Sequence, residues 1–383
     1  MNLSTGEKIR KAAEMVLNAG FKEVVVVVSA MGDTTDRLIG TMSQIGEISD
    51  KDYADILSMG ERTSARLFYS ALKALGADAA YIEPSHEKWP IITDSNFKNA
   101  KIDMEETCRL VKKHLEPLIS SGKIVVVCGF LGKDREGNVT TLGRGGSDTT
   151  ALALANCLKA DEVILVKETK GVLSADPKIV PSARALESLD IHEMFALAHG
   201  GAKIIKAEAL KYKLPGQRLR VVSFSSNDLK SRGTEIMGVF NASSFEVRKE
   251  TGLAAVSLIC PIKPENLSQI FSLLADNTIY GVSTGRNTVT IFVSSNNLRE
   301  LVNRLHNSNI CKAVSCLTKI GLIEVFNPIF IDSPGWVAKI TSSLASKGIN
   351  IIEITTSKAS ISIFINEAKI NEAIKVVRSA LEA

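Results

Sequence analysis

From the start of the chain to about residue 225, strand-length runs of Val and Ile at 24–29, 124–129, 163–167 and 219–224 alternate with amphipathic helical stretches, among them 52–75 and 103–120. A strand covered on both faces by crossover helices reads as a continuous apolar run, whereas a half-exposed strand alternates. The pattern therefore predicts β-α-β units in an α/β domain, a mostly parallel sheet sandwiched by helices. Gly122 closes the second helical stretch and delivers the chain directly into the next strand.

Beyond a polar stretch at 225–233 the pattern changes, and 253–383 reads as two short β-α-β-β-α units in tandem. The first has strands at 254–259, 279–283 and 288–293 and helices at 265–274 and 298–306. The second has strands from 323, at 349–355 and at 360–365, with a helix that Ser333 would cap and Pro334 would open, and a last helix to about 381. Each is a ferredoxin-like α+β unit whose exposed edges favour pairing with another copy, so a homodimer through these modules is expected. The reading divides the chain into 1–248, 249–318 and 319–383.

The first residues carry a capping box, Ser4-x-x-Glu7, followed by Ile9, Ala13, Val16 and Leu17 at helical spacing and by Gly20. A helix in a β-α-β sheet normally follows a strand, and the residues before Ser4 are too few to make one. The expectation is a strand upstream of Met1, without which a neighbour in the sheet is left unpaired.

Composition narrows the function classes. A chain of 383 residues with 45% hydrophobic residues supports more than one domain. The formal charge is only +4, and no basic run interleaved with aromatics offers a surface for nucleic acid. The longest apolar runs are far short of the ~20 residues that span a bilayer, and the N-terminus lacks a signal-peptide pattern, which predicts a cytoplasmic protein without a membrane partner. Six scattered cysteines without a repeated CxxC are read as plain thiols. Five histidines at no ligand spacing predict no metal site.

The stretch with most chemical content is Thr141-Leu142-Gly143-Arg144-Gly145-Gly146-Ser147-Asp148, which runs into a helical segment. At a helix N-terminus, backbone N–H groups and the dipole favour an anion, and paired glycines let it approach the main chain. Phosphate and carboxylate both suit. It is neither a Walker A loop nor a GxGxxG fingerprint. Taken alone, it is equally well a glycine-rich turn with a Ser or Asp cap.

That stretch resembles the signature of aspartate kinases of the amino-acid kinase family. Further pieces match in order along nearly the whole chain: Val28-Ser29-Ala30-Met31-Gly32-Asp33-Thr34-Thr35-Asp36, Met59-Gly60-Glu61-Arg62-Thr63-Ser64, Gly129-Phe130, Ser174-Ala175-Asp176-Pro177-Lys178 and Gly201-Ala202-Lys203. The tandem C-terminal units resemble the ACT modules of that family.

The resemblance implies a phosphotransferase that makes 4-phospho-L-aspartate from ATP and L-aspartate, with Mg2+ accompanying ATP. It would open lysine, threonine and methionine biosynthesis under feedback through the ACT modules. By matching positions, Arg144 would clamp the substrate's α-carboxylate and Glu61 its α-ammonium, with Ser29, Ala30, Thr35, Phe130 and Ser147 completing the pocket. Asp148 and Lys203 would act at the reacting centre. The nucleotide would meet Gly145, Gly146, Lys167, Glu168, Leu173, Asp176, Lys178 and Lys203. Read without the resemblance, Glu61 is a carboxylate on a helix surface and Lys203 a solvated helix lysine.

The sequence also departs from the family pattern. Lys167-Glu168 stand where Thr-Asp is usual, Leu173 where an aromatic is frequent, and the Lys-Phe-Gly-Gly segment of the first strand is not present. Ser333, Pro334, Gly335 and Asn350 resemble an effector loop for an amino acid such as lysine or threonine. Two other readings fit parts of the chain: a catalytically impaired, amino-acid-sensing ACT protein, and an amino-acid kinase with another acceptor, against which Glu61, Arg144 and the ACT pair argue.

Overall fold

Two of the apolar runs, with a third strand between them in the chain, form a parallel sheet. β1 (Val25–Val28), β2 (Ala79–Ile82) and β3 (Ile124–Cys128) lie in the order β1-β3-β2, with Val125 facing Val25 on one side and Ala80 on the other. In this computed structural model residues 3–200, 204–240, 245–274, 277–357 and 359–382 are described, and they fall into two units, Met1–Phe240 and Asn241–Ala383. The helices of the first sheet are α1 (Gly6–Asn18), α2 (Thr34–Ile45), α3 (Asp50–Ala74), α4 (Met104–His114) and α5 (Glu116–Ser120). A hairpin of β4 (Leu131–Lys133) and β5 (Val139–Thr141) leads into α6 (Gly146–Leu158). A second sheet, in the order β6-β8-β9-β7, consists of β6 (Glu162–Lys167), β7 (Ser188–Asp190), β8 (Arg218–Ser223) and β9 (Thr234–Met237), with α7 (Ile191–His199) after β7.

Within the second sheet β6 is parallel to β8 and β7 to β9, while β8 and β9 are antiparallel. The expected α/β domain is present, with its strands in two sheets of which β1 and β6 are end strands. One core joins them: Val126 and Val127 of β3, Phe68 and Leu72 of α3, Ala12 and Ala13 of α1, and Val222 of β8, each with at most 1% of its surface exposed. Full burial of a Val, Leu or Phe side chain is worth about 1.5–3 kcal/mol, so this cluster fixes the strand ends that carry the site.

Three local expectations are corrected. Thr5, not Ser4, caps α1, because its hydroxyl accepts the Lys8 N–H while the Ser4 hydroxyl accepts from Lys8 Nζ. The helix expected over 103–120 breaks at Leu115, where Pro117 in the next turn has no N–H to continue the ladder. Cys108 and Cys157 are not free thiols but a disulfide, since α4 packs on α6 and brings their Cα atoms to 4.7 Å. A spacing of 49 residues gives no sign of that proximity. Closing a loop of that length predicts that reduction lowers unfolding stability by about 2–4 kcal/mol. Urea midpoints with and without reductant check this, and Cys157→Ser should show no difference between the two conditions.

The second unit is one antiparallel sheet covered by helices. Its elements are β10 (Glu246–Ile259), α8 (Pro264–Leu273), β11 (Ile279–Thr284), β12 (Thr288–Ser294), α9 (Leu298–Asn307), β13 (Ala313–Phe326), α10 (Ile329–Asp332), α11 (Trp336–Ser346), β14 (Ile351–Ser357), β15 (Ser360–Asn366) and α12 (Ile370–Glu382). The order is β11-β12-β10-β13-β15-β14. β10 and β13 each serve both modules: Leu253–Ile259 pairs with β12, whereas Glu246 to Glu250 pairs with Phe326 to Leu322 of β13. The strand expected from 254 thus begins at Glu246 and lends its first half to the other module. Phe292 of one module stacks on Phe364 of the other, ring centroids 3.7 Å apart, over Gly281. A Cβ at Gly281 would lie 2.7 Å from Phe364 Cζ, so only glycine admits this stack.

The effector-like loop differs from its reading. Ser333 is extended and closes α10, its N–H donating to the Ile329 carbonyl at 3.1 Å, instead of capping the next helix, and Pro334 precedes that helix, because α11 starts at Trp336 after Gly335 at φ +96°. That left-handed conformation favours glycine. Asn350 is exposed at the entry to β14.

Candidate active site

Close main-chain approaches, each made possible by a glycine, converge where β1, β3 and α6 meet. A Cβ at Gly60 of α3 would come within 2.8 Å of the Ala30 methyl, so α3 lies directly against the residues after β1. A Cβ at Gly129, just past β3, would sit 2.6 Å from Ser147 Oγ and 2.9 Å from the Val28 carbonyl. At Gly146 it would meet Phe130 and Leu142 at 2.9 Å. Real Cβ atoms do not approach this closely, so any side chain at these positions would separate the elements.

Phe130 occupies a left-handed conformation, φ 67°, that a bulky residue does not adopt unaided. Thr150 holds it there: its Oγ1 accepts the Phe130 N–H at 3.1 Å and donates to the Gly146 carbonyl at 3.1 Å. The Phe130 carbonyl in turn accepts from Leu142 N–H at 2.8 Å. Thr150 was not among the residues singled out in the sequence, where a threonine on a helix carries no distinguishing mark.

Glu61 is 3% exposed, which removes the helix-surface reading. One carboxylate oxygen accepts the Ala30 N–H at 3.1 Å, and the other has no partner among the described residues. Burial pushes its carboxyl up to about 7, opposed by the Ala30 N–H, which favours the ionised form. The neighbouring cations do not serve it, because Arg62 and Arg66 both turn to Glu83, at 3.6 Å and 2.7 Å. Glu61 is therefore a buried acceptor in want of a cation.

The glycine-rich stretch opens α6 as expected. Its N-cap is Gly145 at φ 72°, and neither Ser147 nor Asp148 caps the helix. Asp148 turns to β6, where Lys167 Nζ lies 2.8 Å from one carboxylate oxygen and 3.1 Å from the other. Arg144 is exposed and has no ion pair among the described residues. Ser29 and Ala30 follow β1, and Thr35 stands in the first turn of α2.

The structure thus brings Ala30 to Glu61, Phe130 to Gly146 and Asp148 to Lys167, and sets Ser147 against Gly129. Thr35 and Arg144 make no side-chain hydrogen bond with these groups among the described residues. Of the other nucleotide-site residues, Glu168 is exposed directly after β6, and Leu173 bridges to Ala185. Asp176 orders the following turn, its carboxylate accepting the Lys178 N–H at 2.9 Å and its carbonyl those of Ile179 and Val180. Lys178 is exposed, and Lys203 lies outside the described residues.

In chemical terms the site offers a buried carboxylate for a cation, an exposed guanidinium for an anion, and a helix start without a side-chain cap beside an aspartate–lysine pair.

The amino acid kinase family profile matches residues 2–223, and an ACT domain profile matches 320–379. The aspartokinase of Corynebacterium efficiens is 32% identical over 406 aligned residues, covering 100% of this chain and 94% of that protein. The aspartokinase of Bacillus sp. (strain MGA3) is 33% identical, with 98% and 94% covered. Among solved structures, aspartate kinase from Synechocystis superposes with a TM-score of 0.75 at 28% identity, covering 100% of this chain and 68% of that one. E. coli aspartokinase III, solved with aspartate and ADP, shares the fold at a TM-score of 0.56 and 19% identity, over 100% of this chain and 98% of its own.

Proposed function

The chain belongs to the amino acid kinase family, among its aspartokinases, and on that premise we propose that it transfers the terminal phosphoryl group of ATP to the side-chain carboxylate of L-aspartate. The observation that carries this reading is Glu61, whose buried oxygen, without a partner among the described residues, suits the ammonium of an amino acid. Arg144 suits the α-carboxylate of the same molecule, because its planar fork matches two oxygens at once. Ser29, Ala30, Thr35, Phe130 and Ser147 line the space between.

The chemistry asks little of an acid or base. An oxygen of the substrate's side-chain carboxylate attacks the γ-phosphorus, the bond from that phosphorus to the β,γ-bridging oxygen breaks, and ADP departs. The nucleophile is already deprotonated at neutral pH, so catalysis rests on positioning and on charge stabilisation. Gly145 and Gly146 offer main chain to the phosphates at the start of α6. Asp148 and Lys167 form the charged centre, and by its match to the family pattern Lys203 is assigned to the same phosphates.

Magnesium arrives with ATP as part of the substrate. Both Asp148 oxygens already face an ammonium, so the phosphates supply most of its ligands. Glu168, Leu173, Asp176 and Lys178 border the nucleotide, with weaker base stacking for want of an aromatic at Leu173.

The product is 4-phospho-L-aspartate, at the head of lysine, threonine and methionine synthesis, and the protein works as a cytoplasmic homodimer paired through its C-terminal modules. No helix among the described residues is long and apolar enough to cross a membrane. Lysine or threonine binds near Ser333, Pro334, Gly335 and Asn350 and lowers activity by favouring one arrangement of the modules.

ADP release with ATP, magnesium and aspartate, against glutamate as acceptor control, tests the reading. Aspartate-dependent turnover, reduced by lysine or threonine, is expected. Turnover indifferent to aspartate would overturn it.

Glu61 also sets a pH dependence. Its carboxyl titrates at about 7 in the empty pocket, and only the ionised form pairs with an ammonium. Below pH 7 aspartate must expel a proton to bind. KM for aspartate is therefore expected to rise about tenfold per pH unit on the acid side and to level off above 7. Glu61→Gln should give a high KM without that slope, which a pH series of initial rates would reveal.

A further inference from the structure

Lys206 lies outside the glycine-rich loop, yet touches it at three places. It precedes a short 3-10 helix, Ala207–Tyr212, whose buried Ala207, Ala209 and Leu210 face inward and which packs on α6. Asn156 of α6 donates to the Tyr212 carbonyl at 2.8 Å, which ties this platform to α6. From it, Lys206 Nζ donates to the Leu142 carbonyl at 2.8 Å. Its stem covers Gly145, where a Cβ would come within 2.8 Å of Lys206 Cβ. Its backbone N–H reaches an Asp148 oxygen at 3.4 Å. The entry of the loop, its left-handed N-cap and the first turn of α6 thus all rest on one side chain and its own main chain.

We propose that Lys206 is a positioning residue for phosphoryl transfer, fixing the loop that presents Arg144 and the start of α6 to the two substrates. The proposal rests on the kinase reading. Two lysines beside Asp148 divide the work. Lys167 faces the carboxylate with its charge, whereas Lys206 turns its ammonium to a carbonyl and its main chain to the carboxylate. Its ammonium holds the entry of the loop through the Leu142 carbonyl. Small misplacements of a reacting geometry cost rate steeply, up to about a hundredfold for ~1 Å, so a strut of this kind is felt in kcat.

Lys206→Met keeps the stem over Gly145 and removes the ammonium, and Lys206→Arg restores a donor for Leu142. In the ADP-release assay, Lys206→Met is expected to lower kcat about thirtyfold and raise KM for aspartate several-fold. KM for ATP should stay within about twofold. Lys206→Arg should recover most of the loss. A Lys206→Met protein that melts lower but keeps wild-type kcat and KM would reduce Lys206 to a structural residue and overturn the proposal, as would failure of the arginine variant to recover activity.

Hydrogen exchange separates this from failure of the kinase reading, because it needs no turnover. Amides at 143–149 should exchange about tenfold faster in Lys206→Met while those of β3 and α3 are unchanged. Unchanged exchange in the loop would refute the strut even if the wild-type chain proved inactive.

Discussion

Asp148→Asn is expected to lower kcat by about three orders of magnitude while leaving KM for ATP unchanged or slightly lower. The Asp148 side chain is 14% exposed, and that of Lys167, whose ammonium holds both its oxygens, is 25% exposed. The pair works at a reduced dielectric, where fixed charges act strongly on a developing phosphoryl charge. Removing one preorganised electrostatic group typically costs 10²–10³ in kcat. Asparagine keeps the shape and loses the charge, leaving Lys167 a half-buried cation without its counter-ion. That ammonium is then free to turn to the nucleotide, which is why ATP affinity should not fall with kcat.

Lys167→Met makes the opposite lesion, an unpaired carboxylate beside an anionic substrate, and should weaken ATP binding as well as turnover. The two changes act on one pair, so their effects in the double variant should fall short of the sum. Steady-state ADP release at varied ATP decides the matter. A loss of less than tenfold in Asp148→Asn would place Asp148 outside the reacting centre.

The architecture was legible because the relevant signals are local. Val125, Val126 and Val127 form an uninterrupted apolar run because both faces of β3 are covered, and each is fully buried. The glycine loop before α6 was equally visible, since Gly145 and Gly146 meet demands of backbone conformation and close approach that no other residue meets. What escaped the sequence depends on partners distant along the chain. Glu61 looks like a surface helix residue until Ala30 arrives from 31 positions away to cover it. Thr150 matters only because Phe130 is folded back onto α6. Cys108 and Cys157 meet because α4 happens to lie on α6. The exchange of β10 and β13 between modules left only a weak trace, since half of β10 is polar where it runs along one partner strand only.

Arg144 provides the sharpest test of the substrate side. Arg144→Ala is expected to raise KM for aspartate by about a hundredfold or more, as loss of a bidentate, charge-assisted contact worth about 3 kcal/mol implies. KM for ATP and the melting temperature should hardly move. Arg144 is exposed and has no ion-pair partner among the described residues, so its removal strands no buried group, and surface changes of that kind usually stay within about 0.5 kcal/mol. Any large effect must then come through a ligand that is absent when stability is measured. Arg144→Lys keeps the charge but replaces a planar fork with a point donor, and should recover no more than about tenfold of the loss. Pairing this variant with Glu61→Gln identifies the two ends of the substrate. Succinate has no ammonium and should lose affinity with Arg144→Ala but not with Glu61→Gln. If succinate and aspartate lose equally in both variants, Glu61 and Arg144 do not bind opposite ends of one amino acid, and the acceptor must be sought among other carboxylates.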